Sequence, residues 1–107
     1  MYEVHHYLTV DGRDPVGEWL LGLRDRKARV RLELRISRIE LGNLGDCKPV
    51  RAGVHELRID HGPGYRVYFA VEGKVVVLLL CGGDKRSQEA DIGRALAYLA
   101  DYKERTK

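Results

Sequence analysis

The chain has 107 residues, 44% of them hydrophobic, which suits one domain spanning residues 1–107 around one hydrophobic core. No apolar run approaches the ~20 residues that cross a bilayer, and the first residues lack the pattern of a secretory signal, so we expect a cytoplasmic protein without a membrane contact. The net charge is only +3, but residues 24–38 hold seven Lys or Arg and two acids, a concentration that suits a polyanionic partner.

The N-terminal part predicts a strand followed by a helix. Residues 3–10 alternate loosely between apolar and polar side chains, as strands do. Asp14 and Pro15 are typical of a helix N-cap and first helical position. Arg24–Arg26 indicates a tight break before a second helix. The buried stripe predicted for the first helix consists of Val16, Trp19, Leu20 and Leu23.

Residues 27–41 fit two periodicities. Their apolar residues partly alternate as in a strand, but a helical plot at about 100° per residue gathers the basic side chains within a quarter-turn. We therefore predict a helix that ends at Gly42-Asn43. Its basic stripe consists of Arg24, Lys27, Arg31, Arg35 and Arg38. Its two apolar faces consist of Ala28, Leu32, Ile36 and Ile39, and of Val30, Leu34 and Leu41.

The C-terminal part predicts four strands and a helix. Pro49 makes the first of these strands an edge strand, and the continuous apolar run 74–81 predicts a central strand covered on both faces. Ser87 opens a final helix whose tail frays from Lys103. The four strands are predicted at 47–51, 54–60, 65–71 and 74–81, with a loop at 82–86. The order βααββββα predicts an α+β fold with one mainly antiparallel sheet of about five strands.

The central pair of strands reads as a hairpin with a chemically informative face. Alternation directs Leu57 and Ile59 to one face, whereas the other face gathers a carboxylate, two guanidiniums and a phenol. Such a face suits an anionic substrate, most simply a phosphodiester. A surface ion pair across the two strands is the structural alternative. The four side chains are Glu56, Arg58, Arg66 and Tyr68.

Three further cations could border this face: Lys48 on the preceding strand, and Lys85 and Arg86 after the central strand. A plain solvated turn is the alternative for Lys85-Arg86.

The two cysteines are far apart, and the adjacent pair His5-His6 points to opposite strand faces. We therefore predict no metal and no cofactor.

Several segments of the sequence together resemble those of the addiction-module killer proteins, a phage- and bacterial-type branch of the RelE/HigB toxin superfamily. They are Gly42–Asp46, Glu56–Arg58, Gly62–Tyr68 and Leu80–Lys85, followed by Gln88 and Asp91-Ile92. The likeness covers nearly the whole chain, including the order of its elements. It implies a small antiparallel sheet flanked by helices.

The resemblance also implies a function. The chain would be the toxin of a type II toxin–antitoxin pair, an mRNA interferase on translating ribosomes, with a helix-turn-helix antitoxin as partner. The catalytic arginine that such toxins carry on a late strand matches Arg66. Basic residues elsewhere in the sheet match Lys48 and Arg58, and the residue after the last strand matches Lys85.

The expected reaction is in-line attack of a 2′-hydroxyl that leaves a 2′,3′-cyclic phosphate. Glu56 or Lys48 would assist deprotonation, Arg58 and Arg66 would neutralise the transition state, and Lys85 would protonate the leaving oxygen. We expect mRNA and ribosomal RNA to contact Arg24, Lys27, Arg31, Arg35, Arg38, Tyr68 and Arg86. For the basic stripe of the helix, a solvated face is the structural alternative. Two alternatives stay open: a gyrase poison of the ParE type without nuclease activity, and an inactive co-repressor that only binds its antitoxin.

Overall fold

In a computed structural model, residues 1–74 and 76–107 are described. The predicted order βααββββα and the α+β class are confirmed. Val75, which the apolar run assigns to the last strand, lies outside the described residues. The elements are β1 (Glu3–His6), α1 (Pro15–Gly22), α2 (Arg26–Glu40), β2 (Cys47–Arg51), β3 (Val54–Ile59), β4 (Tyr65–Glu72), β5 (Val76–Asp84), a 3₁₀ turn (Lys85–Ser87) and α3 (Gln88–Arg105).

The five strands form one sheet in the order β1-β5-β4-β3-β2. Only the pairing of β1 with β5 is parallel among the described strands, so the sheet is mainly antiparallel as predicted. The strand that carries Pro49 lies at an edge, and β5 lies inside the sheet.

Helices cover both faces of the sheet. Val16 and Leu20 of α1 and Leu32 of α2 pack against one face. Ile92 and Leu99 of α3 pack against the other face. Each face therefore has its own apolar layer, and the hairpin face that carries the polar residues is the one beneath α3.

The two N-terminal helices begin where the sequence predicts. The Asp14 carboxylate accepts a hydrogen bond from the Gly17 amide at 3.0 Å, and the Asp25 carboxylate accepts one from Ala28 at 3.1 Å. Because α2 begins at Arg26, Arg24 lies in the bend before it. The assignment of Arg24 to the helical stripe was therefore wrong.

The strand β5 continues three residues past its predicted end, because Gly82, Gly83 and Asp84 belong to it and not to a loop. The two glycines pair with Val67 and Arg66 of β4. A Cβ atom at Gly82 would collide with the ring of Trp19 from α1, and one at Gly83 with the Asp91 carboxylate from α3. The glycines thus let a helix approach each face of the strand closely.

Both ends of the chain also differ from expectation. The first strand stops at His6 instead of continuing to Val10, while α3 stays helical to Arg105 where fraying was predicted. The Tyr7 hydroxyl donates to Asp101 at 2.5 Å, and the Arg105 guanidinium donates to the Leu8 carbonyl at 2.5 Å. These two contacts fasten the last helical turns to the residues that directly follow the first strand. Among the described residues, no helix has the length and apolarity to cross a membrane.

Candidate functional site

The candidate site lies at the end of the sheet where β3 ends and β4 begins. Arg58 stands directly opposite Arg66, and Glu56 stands opposite Tyr68 in the neighbouring row. The predicted gathering of these four side chains on one face is therefore confirmed.

Glu56 is the centre of the charge cluster. It is fully buried, with its Oε1 atom 3.5 Å from Nη1 of Arg66 and 3.7 Å from Nε of Arg58. Its Oε2 atom accepts a hydrogen bond from the side-chain amide of Gln88 at 3.0 Å. A buried carboxylate is tolerated only with such partners, and two arginines opposite each other repel unless an anion lies between them. Glu56 thus holds the guanidiniums together.

This face is less open than the sequence suggests, because α3 packs on it. Tyr68 is fully buried, so the predicted contact of its ring with RNA was wrong. Burial, with the nearby Glu56 carboxylate, raises the pKa of the Tyr68 phenol well above its usual range. Its hydroxyl is buried and makes no hydrogen bond with the described residues.

An opening remains at the end of the sheet. We call it the sheet-end cleft; its volume is about 300 Å³, and it is lined by Asp46, Arg58, Ile59, Asp60, Gly64, Arg66 and Lys85. The side chain of Arg58 is 39% exposed and that of Arg66 only 10%. The Nε atoms of both arginines are buried without a hydrogen-bond partner in the described part of the chain. Guanidinium donors left unused beside an opening can bind an oxyanion.

The other predicted catalytic cations divide into two groups. Lys85 is exposed in the 3₁₀ turn and lines the sheet-end cleft. Lys48 lies opposite Glu56 on β2, but it is exposed and stands outside the described lining. Arg86 also stands outside it and pairs with Asp84 at 3.4 Å. The structure thus places Lys85 in the cleft lining with the two arginines, whereas Lys48 and Arg86 are not part of that lining.

A second opening adjoins the first. This helix cleft has a volume of about 430 Å³ and shares four residues of its wall with the sheet-end cleft. Arg31, Leu34, Arg35 and Arg38 of α2 line its other side. The shared residues are Asp46, Arg58, Ile59 and Asp60.

The predicted basic stripe is divided between different tasks. Arg35 donates to the backbone carbonyls of Arg58 at 2.8 Å, Leu44 at 3.3 Å and Asp46 at 3.2 Å. Its donors therefore tie α2 to the loop before β2. Lys27 lies near the start of α2, away from the helix cleft, so Arg31 and Arg38 are the members of the stripe whose donors remain available there.

Sequence reasoning missed three side chains of the site. Asp46 pairs with Arg58 at 3.5 Å, and the backbone bond from Arg58 to Asp46 shows that extending β2 by one residue would have found it. Asp60 follows β3 directly. Asp46 and Gln88 figured only as part of the family resemblance. Among the described residues, no three His, Cys, Asp or Glu side chains are grouped to hold a metal ion.

Comparison with known proteins identifies relatives. A family model described as "Phage derived protein Gp49-like (DUF891)" matches residues 18–100. An uncharacterized protein of Haemophilus influenzae is 49% identical over 77 residues, which cover 72% of this chain and 78% of that protein. Residues 18–100, which the family model matches, include every residue that lines the two clefts.

Proposed function

Because the chain belongs to the phage-derived Gp49-like family, we propose that it is the toxin of a type II toxin–antitoxin pair. That family is associated with the toxins of toxin–antitoxin systems. Within this class we propose a RelE/HigB-like mRNA interferase, a metal-independent, ribosome-dependent endoribonuclease that inhibits translation. Its partners would be a helix-turn-helix antitoxin, mRNA and ribosomal RNA.

One observation carries the proposal. Arg66 is nine-tenths buried beside the sheet-end cleft, and its Nε atom has no partner among the described residues. A guanidinium that served only as a surface ion pair would be solvated, whereas this one has given up water without replacing all of its hydrogen bonds. A phosphate oxygen in the cleft would accept hydrogen bonds from the part of this guanidinium that lines it.

The cleft supports the charge requirements of RNA cleavage. When a 2′-hydroxyl attacks phosphorus, the bond to the 5′-oxygen breaks and charge accumulates on the phosphoryl oxygens. Arg58 and Arg66 are positioned by Glu56 to take that charge at low cost of reorganisation. Lys85, at the rim, would donate a proton to the leaving 5′-oxygen. The products would be a 2′,3′-cyclic phosphate and a 5′-hydroxyl.

The acceptor of the 2′-hydroxyl proton needs a different candidate from those predicted. Glu56 is fully buried and already engaged by two arginines and Gln88, and Lys48 stands outside the described cleft lining. Asp60 lines the cleft, and its carboxylate has no partner among the described residues. We therefore assign the proton transfer to Asp60, with Glu56 as a positioning residue.

The proposal is tested with Arg66→Ala and Arg66→Lys. We expect both variants to fold and both to lose message cleavage by ~10²-fold or more, because lysine cannot reproduce the bidentate contact. The measurement is mapping of the 5′ ends of cellular RNA shortly after induction, together with growth. Arg51→Ala is the matched control, since this arginine lies on β2 and pairs with Glu89 at 3.3 Å.

The same experiment separates the alternatives. Undiminished cleavage by Arg66→Ala would refute the assignment of Arg66. DNA breaks with intact message after induction of the wild-type protein would indicate a gyrase poison. Growth that is unaffected by the wild-type protein would indicate a co-repressor without toxic activity.

A further inference from the structure

The helix cleft carries two cations that the fold does not use. Arg31 and Arg38 are two helical turns apart on α2, so they project on the same side. Both are exposed, and within the described part of the chain neither guanidinium makes a hydrogen bond or ion pair. Arg29, on another side of the same helix, instead pairs with Glu33 at 3.3 Å.

The wall of the helix cleft is also partly apolar. Leu34 is 51% exposed on α2, and Ile59 forms part of the wall shared with the sheet-end cleft. Flat aromatic rings pack well against leucine, isoleucine and guanidinium planes, whereas a bare inorganic anion gains nothing from them. The combination suits a nucleotide, with its base on the apolar wall and its phosphate on the arginines.

The helix cleft lies directly beside the sheet-end cleft, where RNA cleavage is proposed to occur. Arg58 lines both clefts and pairs with Asp46, which also lines both. The carboxylates of Asp46 and Asp60 repel phosphates, so they disfavour a phosphate on the shared wall and favour one on each side of it. Consecutive phosphates of one strand could then occupy the two clefts.

We propose that the helix cleft is a nucleotide subsite that binds the residue next to the scissile phosphate on the same single-stranded RNA. The inference rests on the proposed function for the identity of the ligand. It assigns to Arg31 and Arg38 the neighbouring phosphate and to Leu34 the base. The length of the RNA, and not only its charge, would then determine its affinity for the protein.

The test uses 2′-O-methyl RNA, which cannot undergo 2′-hydroxyl attack. Binding of a fluorescent tetranucleotide is measured by anisotropy over a range of salt, and binding of a dinucleotide with one phosphate by NMR titration. For Arg31→Ala/Arg38→Ala we expect tetranucleotide affinity to fall on the order of tenfold or more at low salt. The slope of log affinity against log salt should become less steep by about 0.7, since each phosphate contact on a single strand contributes about 0.7.

The dinucleotide should bind the double variant as it binds the wild-type protein, because Arg58 and Arg66 remain. Arg29→Ala is the control for loss of a positive charge from the same helix. The inference is overturned if Arg29→Ala weakens binding of the tetranucleotide as much, for each positive charge removed, as the double variant does. It is equally overturned if the double variant weakens binding of the dinucleotide as much as binding of the tetranucleotide. It is also overturned if the wild-type protein does not bind the tetranucleotide, or prefers an RNA duplex, whose stacked bases cannot enter the cleft.

Failure of the proposed function gives a different result. If the double variant behaves as expected in binding but no message is cut in cells, the subsite stands and the endoribonuclease proposal falls. If message is cut while Arg31→Ala/Arg38→Ala binds the tetranucleotide normally, the proposed function stands and the subsite falls.

Discussion

The amide of Gln88 is the least conspicuous side chain of the site and the one on which the cluster's geometry depends. Its hydrogen bond leaves Oε1 of Glu56 facing both Arg58 and Arg66. Because Gln88 is the first residue of α3, this contact also couples the position of the helix to the arginines. Gln88 is therefore a positioning residue that acts through Glu56.

We expect Gln88→Ala to lower the cleavage rate roughly tenfold while costing only about 1 kcal/mol of unfolding free energy, the usual contribution of one hydrogen bond. Cleavage in a translating extract gives the rate, and urea unfolding gives the stability. The rate should fall without a matching rise in KM, because the contact orients the arginines and does not touch the substrate. Glu89→Ala, the adjacent exposed residue, is the control. A rise in KM alone would argue against positioning.

At the scale of the elements, the two glycines of β5 determine how closely the helices approach. On one face of this strand, the Trp19 ring fills the space that a side chain at position 82 would take. On the other face, the Asp91 carboxylate fills the space that a side chain at position 83 would take. The Asp91 carboxylate in turn accepts hydrogen bonds from Ser87 at 2.5 Å and Arg94 at 2.6 Å. The N-terminal end of α3, and with it Gln88, is thereby held over the site.

Gly82→Ala should destabilise the fold by ~1–3 kcal/mol, because the added methyl group displaces the Trp19 ring from a packed interface. Gly93→Ala is the matched control: it lies within α3 with open space around its Cβ position, and alanine there should stabilise by ~0.5–1 kcal/mol. Thermal and urea unfolding followed by the fluorescence of Trp19 measure both. Equal stability of the two variants would contradict this account of β5.

The elements show why part of the site could be predicted and part could not. Alternation along the hairpin is local, so it correctly placed Glu56, Arg58 and Arg66 on one face. Whether that face meets water depends on α3, which comes from a distant part of the sequence, and this is why the exposure of Tyr68 was predicted wrongly. Gly82 and Gly83 of β5 were likewise predicted as a loop, because the sequence alone does not show that helices pack closely against them.

At the scale of the whole molecule, burial keeps two ionisable side chains, Cys81 and Tyr68, in their neutral forms. Burial raises the pKa of the Cys81 thiol to about 12, and it also raises the pKa of the Tyr68 phenol well above its usual range. Both side chains lie in the apolar layer beneath α3. The native state therefore holds protons that the unfolded chain releases in alkaline solution, so stability falls as pH rises above the ordinary thiol value of 9.0.

We expect the free energy of unfolding to be level near neutral pH and to decline from about pH 9 to about pH 12, the pKa of the buried Cys81 thiol. Urea unfolding at several pH values provides the measurement. Cys81→Ala should make the decline shallower without removing it, since Tyr68 still titrates, whereas Cys47→Ala, at a half-buried thiol, should change the slope less. Constant stability across this range in the wild-type protein would show that neither group is shielded as described.

The parallel pairing of β1 with β5, and the bond from Tyr7 to Asp101, join the two ends of the chain. During synthesis the first strand has no partner until Val76–Leu79 has been made, and the closing contact awaits the last helical turns. The cleft is completed equally late, because Lys85 and Gln88 follow β5. The cation cluster therefore gains its last members only when the start of α3 has been made, after every strand of the sheet.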